Sequence, residues 1–262
     1  MILKGTPEKY GTLWGRDELI LTLELYCRIP FRTCTTKNPA VIELAAMLDR
    51  SPAAVARKLG NFGSFDPSLQ KRQISGLTHV GKLDKMIWDE FSNDWNRLAL
   101  EAERLRDEYA RSPLSEAERV DDYQIPQGPT EREVLRKTRI HQRFFRDAVL
   151  SSYESTCCIT GLPIRECLVA SHIIPWSIAE PLRTDPRNGL CLSATFDRLF
   201  DRGLITISND MCVNVATTLM SAEDKQIKEM ICAYHGKQII HPRRFLPLQS
   251  YLEWHHNHVY QD

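Results

Sequence analysis

One stretch of this chain gathers the residue types that hydrolysis of a phosphodiester requires. In residues 168–205, LVASHIIPWSIAEPLRTDPRNGLCLSATFDRLFDRGLI, His172 sits in an apolar run, an Asn-Gly pair follows at Asn188, and Asp197 comes nine residues after Asn188. A histidine of ordinary pKa, about 6.5, takes a proton from water near neutral pH. An amide can orient a loop, and a carboxylate is a hard oxygen ligand for a divalent cation. Each residue also has a plainer reading. A histidine in an apolar strand is more often a satisfied core residue, Asn-Gly is an ordinary turn dipeptide, and Asp197 and Asp201 could be surface acids beside Arg198 and Arg202. The three at this spacing favour chemistry, and no other part of the chain holds so complete a set.

The elements that must position these residues are legible in the pattern. Cys167 to Ile174 reads as a buried strand with His172 near its end. Arg187-Asn188-Gly189 reads as a turn, and Leu190 to Leu192 as a second short strand. Ser193 can cap a helix over Ala194 to Arg202, stopped by Gly203, and Leu204 to Ser208 alternates as a further strand.

With this order the segment resembles the ββα-metal motif of the HNH endonuclease family. The stretches CITG, ASHIIPW, DPRNGL and FDRLFDRGLITI carry the resemblance over about residues 136–208, and PRRFLPLQSYLEWHHNHV resembles the tail often attached to such domains. The resemblance implies metal-dependent cleavage of DNA, with His172 matching the family's first His and Asn188 its central Asn. The family's second His falls on Asp197, a harder ligand than imidazole, which points to Mg²⁺ or Mn²⁺. Ser171 stands where many members carry an acidic or His ligand. The expected ligand set is therefore Asp197, Ser171 and Asp201, with help from Asp185, substrate phosphate and waters. A setting in restriction or phage defence follows from the resemblance alone. One site per chain would favour a homodimer for cutting both strands.

The rest of the chain predicts an α+β architecture: a mainly helical, helix-turn-helix-like DNA-binding domain over 1–92, a connecting helix and linker over 93–130, and the nuclease domain with its extension over 131–262. Arg16 to Arg28 has apolar residues at helical spacing, and Asn38-Pro39 and Ser51-Pro52 each read as a cap followed by proline at the first helical position. These predict helices over Ala40 to Leu48 and from Pro52 to near Gly60, the second presenting Arg57 and Lys58 to DNA. Residues 62–82 read as a wing or loop, Leu83 to Arg111 as one long helix, and 112–130 as a linker. Thr130 and Glu133 form a capping-box pattern for a helix to about Ser152, whose basic face includes Arg139, Arg143 and Arg146. With Arg187 these complete the expected DNA contacts.

The net charge of zero conceals an uneven distribution: Lys+Arg against Asp+Glu is 13 to 10 over residues 1–90, 5 to 9 over 91–130, and 6 to 3 over 131–150. Basic stretches thus flank an acidic middle, which suits a nucleic-acid partner. Eight dispersed cysteines without a C-x-x-C pair predict reduced thiols and argue against structural zinc. No apolar run approaches the roughly 18 residues of a membrane span, and the N-terminus lacks a secretory pattern, so a cytoplasmic protein is expected. Two other functions fit these residues: a DNA-binding regulator that keeps a nuclease-like shell without cleavage, and an effector nuclease gated by a partner.

Overall fold

The computed structural model describes residues 9, 11–73, 81–110 and 131–262. The linker expected over 112–130, the Thr130 cap, and residues 74–80 of the expected wing lie outside the described residues. The chain divides into two compact units, one formed by the described residues of 1–65 and 74–144, the other by 66–73 and 145–262.

The first unit is built on α1 (Arg16–Arg28), buried from Glu18 through Cys27. Burying its acids requires partners, because an unpaired carboxylate in an apolar interior is costly. Glu18 is held by Arg50 at 2.9 and 3.0 Å, and Glu24 by Arg28 and Arg106. The helices α2 (Pro39–Met47) and α3 (Pro52–Gly63) begin where their caps predict: the Asn38 side chain accepts from the Ala40 N–H at 2.9 Å, and that of Ser51 from the Ala54 N–H at 3.2 Å. They pack on each other and on α1. The short α4 (Pro67–Lys71), capped by Asp66, belongs to the second unit. The single helix expected from Leu83 to Arg111 is instead two, α5 (Lys82–Phe91) and α6 (Trp95–Ala110). Ser92, Asn93 and Asp94 break it, since their side chains compete for backbone groups; Asp94 accepts from the Arg97 N–H at 3.1 Å, at the start of α6.

The helix α7 (Glu131–Ser152) belongs to the second unit from Phe145 onward, where Phe145, Val149 and Leu150 enter the core. There β1 (Leu168–His172) pairs antiparallel with β2 (Gly189–Ser193), His172 lying opposite Gly189 and Ser171 opposite Leu190. The helix α8 (Ala194–Asp201) follows directly and buries Phe196 and Phe200. Then β3 (Ile205–Ile207) pairs with β4 (Val213–Val215), a partner the sequence pattern did not reveal. The short α9 (Thr217–Met220) and α10 (Lys225–Met230) precede α11 (Gln249–His258). Gly203 ends α8 at φ +67°, and a Cβ there would lie 1.9 Å from the Val259 carbonyl oxygen, so glycine is needed both for the backbone and for the tail that docks on it. No helix among the described residues is long and apolar enough to cross a membrane.

His255 anchors α11. Its ring stacks on Phe200 at 3.7 Å, its Nε2 meets the Phe200 carbonyl at 3.1 Å, and its Nδ1 meets the Thr206 hydroxyl at 2.9 Å. The carbonyl can only accept, so Nε2 carries the proton and Nδ1 accepts from Thr206. Burial pulls the pKa of His255 down to about 4. The unfolded chain therefore binds a proton that the fold excludes between about pH 4 and 6.5. This stability is complete above pH 6.5 and is lost as pH falls toward 4, by about 3 kcal/mol. Urea unfolding at pH 7 and pH 4.5 should show the loss, and His255→Gln should flatten the slope; an unchanged slope would refute the assignment.

Candidate active site

His172 closes β1, and three neighbours fix its ring. Phe145 stacks on it at 3.6 Å with an interplanar angle of 11°, and Trp176 meets it edge-on at 5.6 Å. Its Nε2 lies 3.0 Å from the Arg183 carbonyl oxygen. Because a carbonyl only accepts, Nε2 carries the proton and Nδ1 keeps a lone pair in the neutral ring. Burial pushes its pKa down to about 4, with the carbonyl bond opposing. The ring is thus neutral, and able to accept a proton, across the ordinary pH range. Arg183 is itself held: its Nε donates to the Trp176 carbonyl at 3.1 Å and its guanidinium lies 5.0 Å over the Trp176 ring.

Asn188 ties the loop after β1 shut. Its Oδ1 accepts from the Ile174 N–H at 2.8 Å, its Nδ2 donates to the Ile174 carbonyl at 3.0 Å, and its own carbonyl accepts from the Ile173 N–H at 2.9 Å. The amide therefore reproduces a backbone pairing just beyond His172, which holds the end of β1 in place. The turn expected at Arg187-Asn188-Gly189 takes another form. Pro186–Asn188 is a single 3-10 turn that runs straight into β2, with Gly189 extended at φ −131° and ψ 142°. Glycine is present for space: a Cβ would lie 2.3 Å from Val149 Cγ2 and 3.0 Å from Phe145 Cζ.

Asp197, in the first turn of α8, has a raised pKa, caused first by burial and opposed by the Ser171 hydroxyl and Arg198. Ser171 is buried, and its Oγ has no partner in hydrogen-bond geometry among the described residues, although it lies close enough to Asp197 to favour the charged carboxylate. Asp201, one turn further, is also raised, by desolvation first and by the charge of Asp197 second. The charge of Asp197 raises Asp201, and the Ser171 hydroxyl beside Asp197 is under-used; oxygen donors of this kind could hold a hard divalent cation that keeps several waters. Among the described residues no three His, Cys, Asp or Glu side chains are arranged as a metal cluster. Asp185, expected to help, is committed elsewhere: it accepts from the Arg187 backbone N–H at 2.9 Å and from Arg187 Nε and Nη2 at 2.7 to 3.1 Å. A carboxylate so saturated has little capacity left for a metal.

The basic residues fall in different settings. Arg57 is exposed on α3, whereas Lys58 is bound to the buried Asp84 at 2.8 and 3.0 Å, so its charge is neutralised within the fold. Arg139 is exposed, and Arg143 makes an exposed ion pair with Glu103 at 3.3 Å. Arg146 donates to the Leu168 carbonyl at 2.9 Å and so fastens α7 to β1. The residues that sequence reasoning missed at this site are Trp176, Arg183, Val149 and Tyr251. Their contacts are made through the fold, and no local pattern marks them. Phe145 was visible only as half of an aromatic pair.

Cys157, Cys158 and Cys191 are free buried thiols, and Cys157 Sγ accepts from the Ser193 N–H at 3.2 Å. Residues 157–208, which contain β1, β2, α8 and β3, match the family model described as HNH endonuclease. No curated protein matches the chain.

Proposed function

We propose, from the match of residues 157–208 to the HNH endonuclease family model, that this protein is a divalent-metal-dependent endonuclease that hydrolyses DNA phosphodiester bonds. The observation that carries the reading is His172, a neutral base whose proton is pinned on Nε2 by the Arg183 carbonyl, on the strand that also holds Ser171 beside Asp197. His172 Nδ1 takes a proton from the attacking water. Asn188 keeps His172 aimed by fixing Ile173 and Ile174. Asp197, Asp201 and the Ser171 hydroxyl would hold the ion, Mg²⁺ or Mn²⁺ by the hardness of the donors. When bound, the ion supplies positive charge to the phosphate and the leaving oxygen. Arg187, Arg57, Arg139 and Arg143 are the candidate backbone contacts, with α2 and α3 as a helix-turn-helix. A restriction or defence setting rests on the family resemblance, a second copy for the second strand on there being one site per chain, and the cytoplasm on the dispersed cysteines.

The test is incubation of supercoiled plasmid with pure protein and Mg²⁺ or Mn²⁺. Nicking or linearisation is expected, and EDTA should abolish it. Asp197→Ala should raise the Mg²⁺ concentration needed by roughly 10-fold or more. The regulator reading rests on Ser171 and Asp197, which stand where the family carries other ligands. Tight duplex binding without cleavage in either metal would select it.

A further inference from the structure

Arg187 is half-buried, and its guanidinium is gripped from one side only. Asp185 engages Nε and Nη2 in a two-point ion pair. A guanidinium has five N–H donors. Both N–H groups on Nη1 and one on Nη2 therefore have no partner among the described residues, and 29% of the side chain is exposed. That leaves a planar fork, of the kind that matches a phosphate, on the residue next to Asn188. Asp185 cannot hold the fork unless it is itself held. Its side chain is 4% exposed, its Oδ1 accepts from the Arg187 backbone N–H at 2.9 Å, and its Oδ2 accepts from the Tyr251 hydroxyl at 3.3 Å. Tyr251 comes from α11, 66 positions away and beyond the segment that matches the family model. It is rigidly placed, since Leu252 is buried beside it and His255 locks the helix to Phe200 and Thr206.

The geometry points to Asp185 and Tyr251 as positioning residues that aim the Arg187 fork at a DNA phosphate, so that α11 is a working part of the nuclease site. This rests on the reading of Arg187 as a phosphate contact given above. The chain of contacts runs from α11 through a buried carboxylate to one outward-facing cation. The Tyr251 bond is the longer arm, so its loss should loosen the fork without emptying the site.

The experiment is a double-mutant cycle read by anisotropy of a labelled DNA duplex with the full chain in Ca²⁺, alongside cleavage kinetics in Mg²⁺. Arg187→Ala should weaken binding roughly 10-fold and lower the salt slope by about one. Tyr251→Phe should weaken binding roughly 3-fold and raise KM more than it lowers kcat. Asp185→Asn, which keeps the side-chain shape, should fall between them. Tyr251→Phe added to Arg187→Ala should have no further effect. Equal weakening by Tyr251→Phe in both backgrounds, or a lowered kcat and Tm with KM unmoved, would overturn the proposal. A wild type that binds but does not cut defeats only the nuclease reading, because the cycle is read from binding. A wild type that does not bind the duplex overturns both.

Discussion

Replacement of His172 by alanine is expected to lower the rate of DNA cleavage on the order of 10²–10⁴-fold. The ring is the one base at the site whose proton is fixed away from its free nitrogen, through the 3.0 Å contact of Nε2 with the Arg183 carbonyl. Alanine also strands that carbonyl and leaves the Phe145 ring without its partner, so a stability loss of about 1–3 kcal/mol should accompany the change. His172→Gln separates the two effects, since an amide can still donate to the carbonyl but is no base. It should recover stability and not activity. The same burial sets the pH profile. With its pKa held to about 4, His172 remains unprotonated well below the ordinary 6.5, so the acid limb of kcat/KM should fall near pH 4–5. Burial also raises the carboxylates of Asp197 and Asp201, and Phe145→Ala distinguishes His172 from them. It uncovers His172 and should move the limb up toward 6.5. A wild-type limb already at 6.5 would defeat the argument from burial.

Gly189→Ala is the second large effect. The backbone there is extended, so alanine meets no dihedral penalty; it fails for lack of room. The added methyl would sit 2.3 Å from Val149 Cγ2 and 3.0 Å from Phe145 Cζ, and Phe145 is the ring stacked on His172. Overpacking of this kind costs about 1–3 kcal/mol. The larger consequence is catalytic, because relief of the clash must move α7 or tilt Phe145, and His172 moves with it. A displacement of about 1 Å can cost on the order of 10²-fold in rate. Val149→Ala, placed in the same chain, removes the closer clash and should restore much of the activity. Wild-type activity and stability in Gly189→Ala alone would show that β2 is not tightly packed on α7.

Residues outside the family-matched segment therefore govern residues inside it. Phe145 on α7 sets the environment of His172, and Tyr251 on α11 supports Asp185. Swapping the 157–208 segment into another scaffold without these two supports should yield a poorly aimed site.

What the sequence determined by itself was whatever depends on near neighbours along the chain. Cap and proline pairs placed the starts of α2 and α3, and apolar spacing placed α1. The run around His172, the two short strands and α8 were legible for the same reason. The break between α5 and α6 was also local, in Ser92-Asn93-Asp94, but was outweighed by the charged helical pattern on either side. Only the tertiary structure decided which charges are already spoken for. Lys58 meets Asp84 across 26 positions, and Tyr251 meets Asp185 across 66. It alone also showed that Gly189 is needed for space rather than for a turn, and that β4 is the partner of β3. Caps and periodicity act over one helical turn and leave a mark in the order of residues. Ion pairing, ring stacking and close packing act between segments that only the folded backbone brings together, so the same lysine, aspartate or glycine reads alike in the sequence whatever its partner.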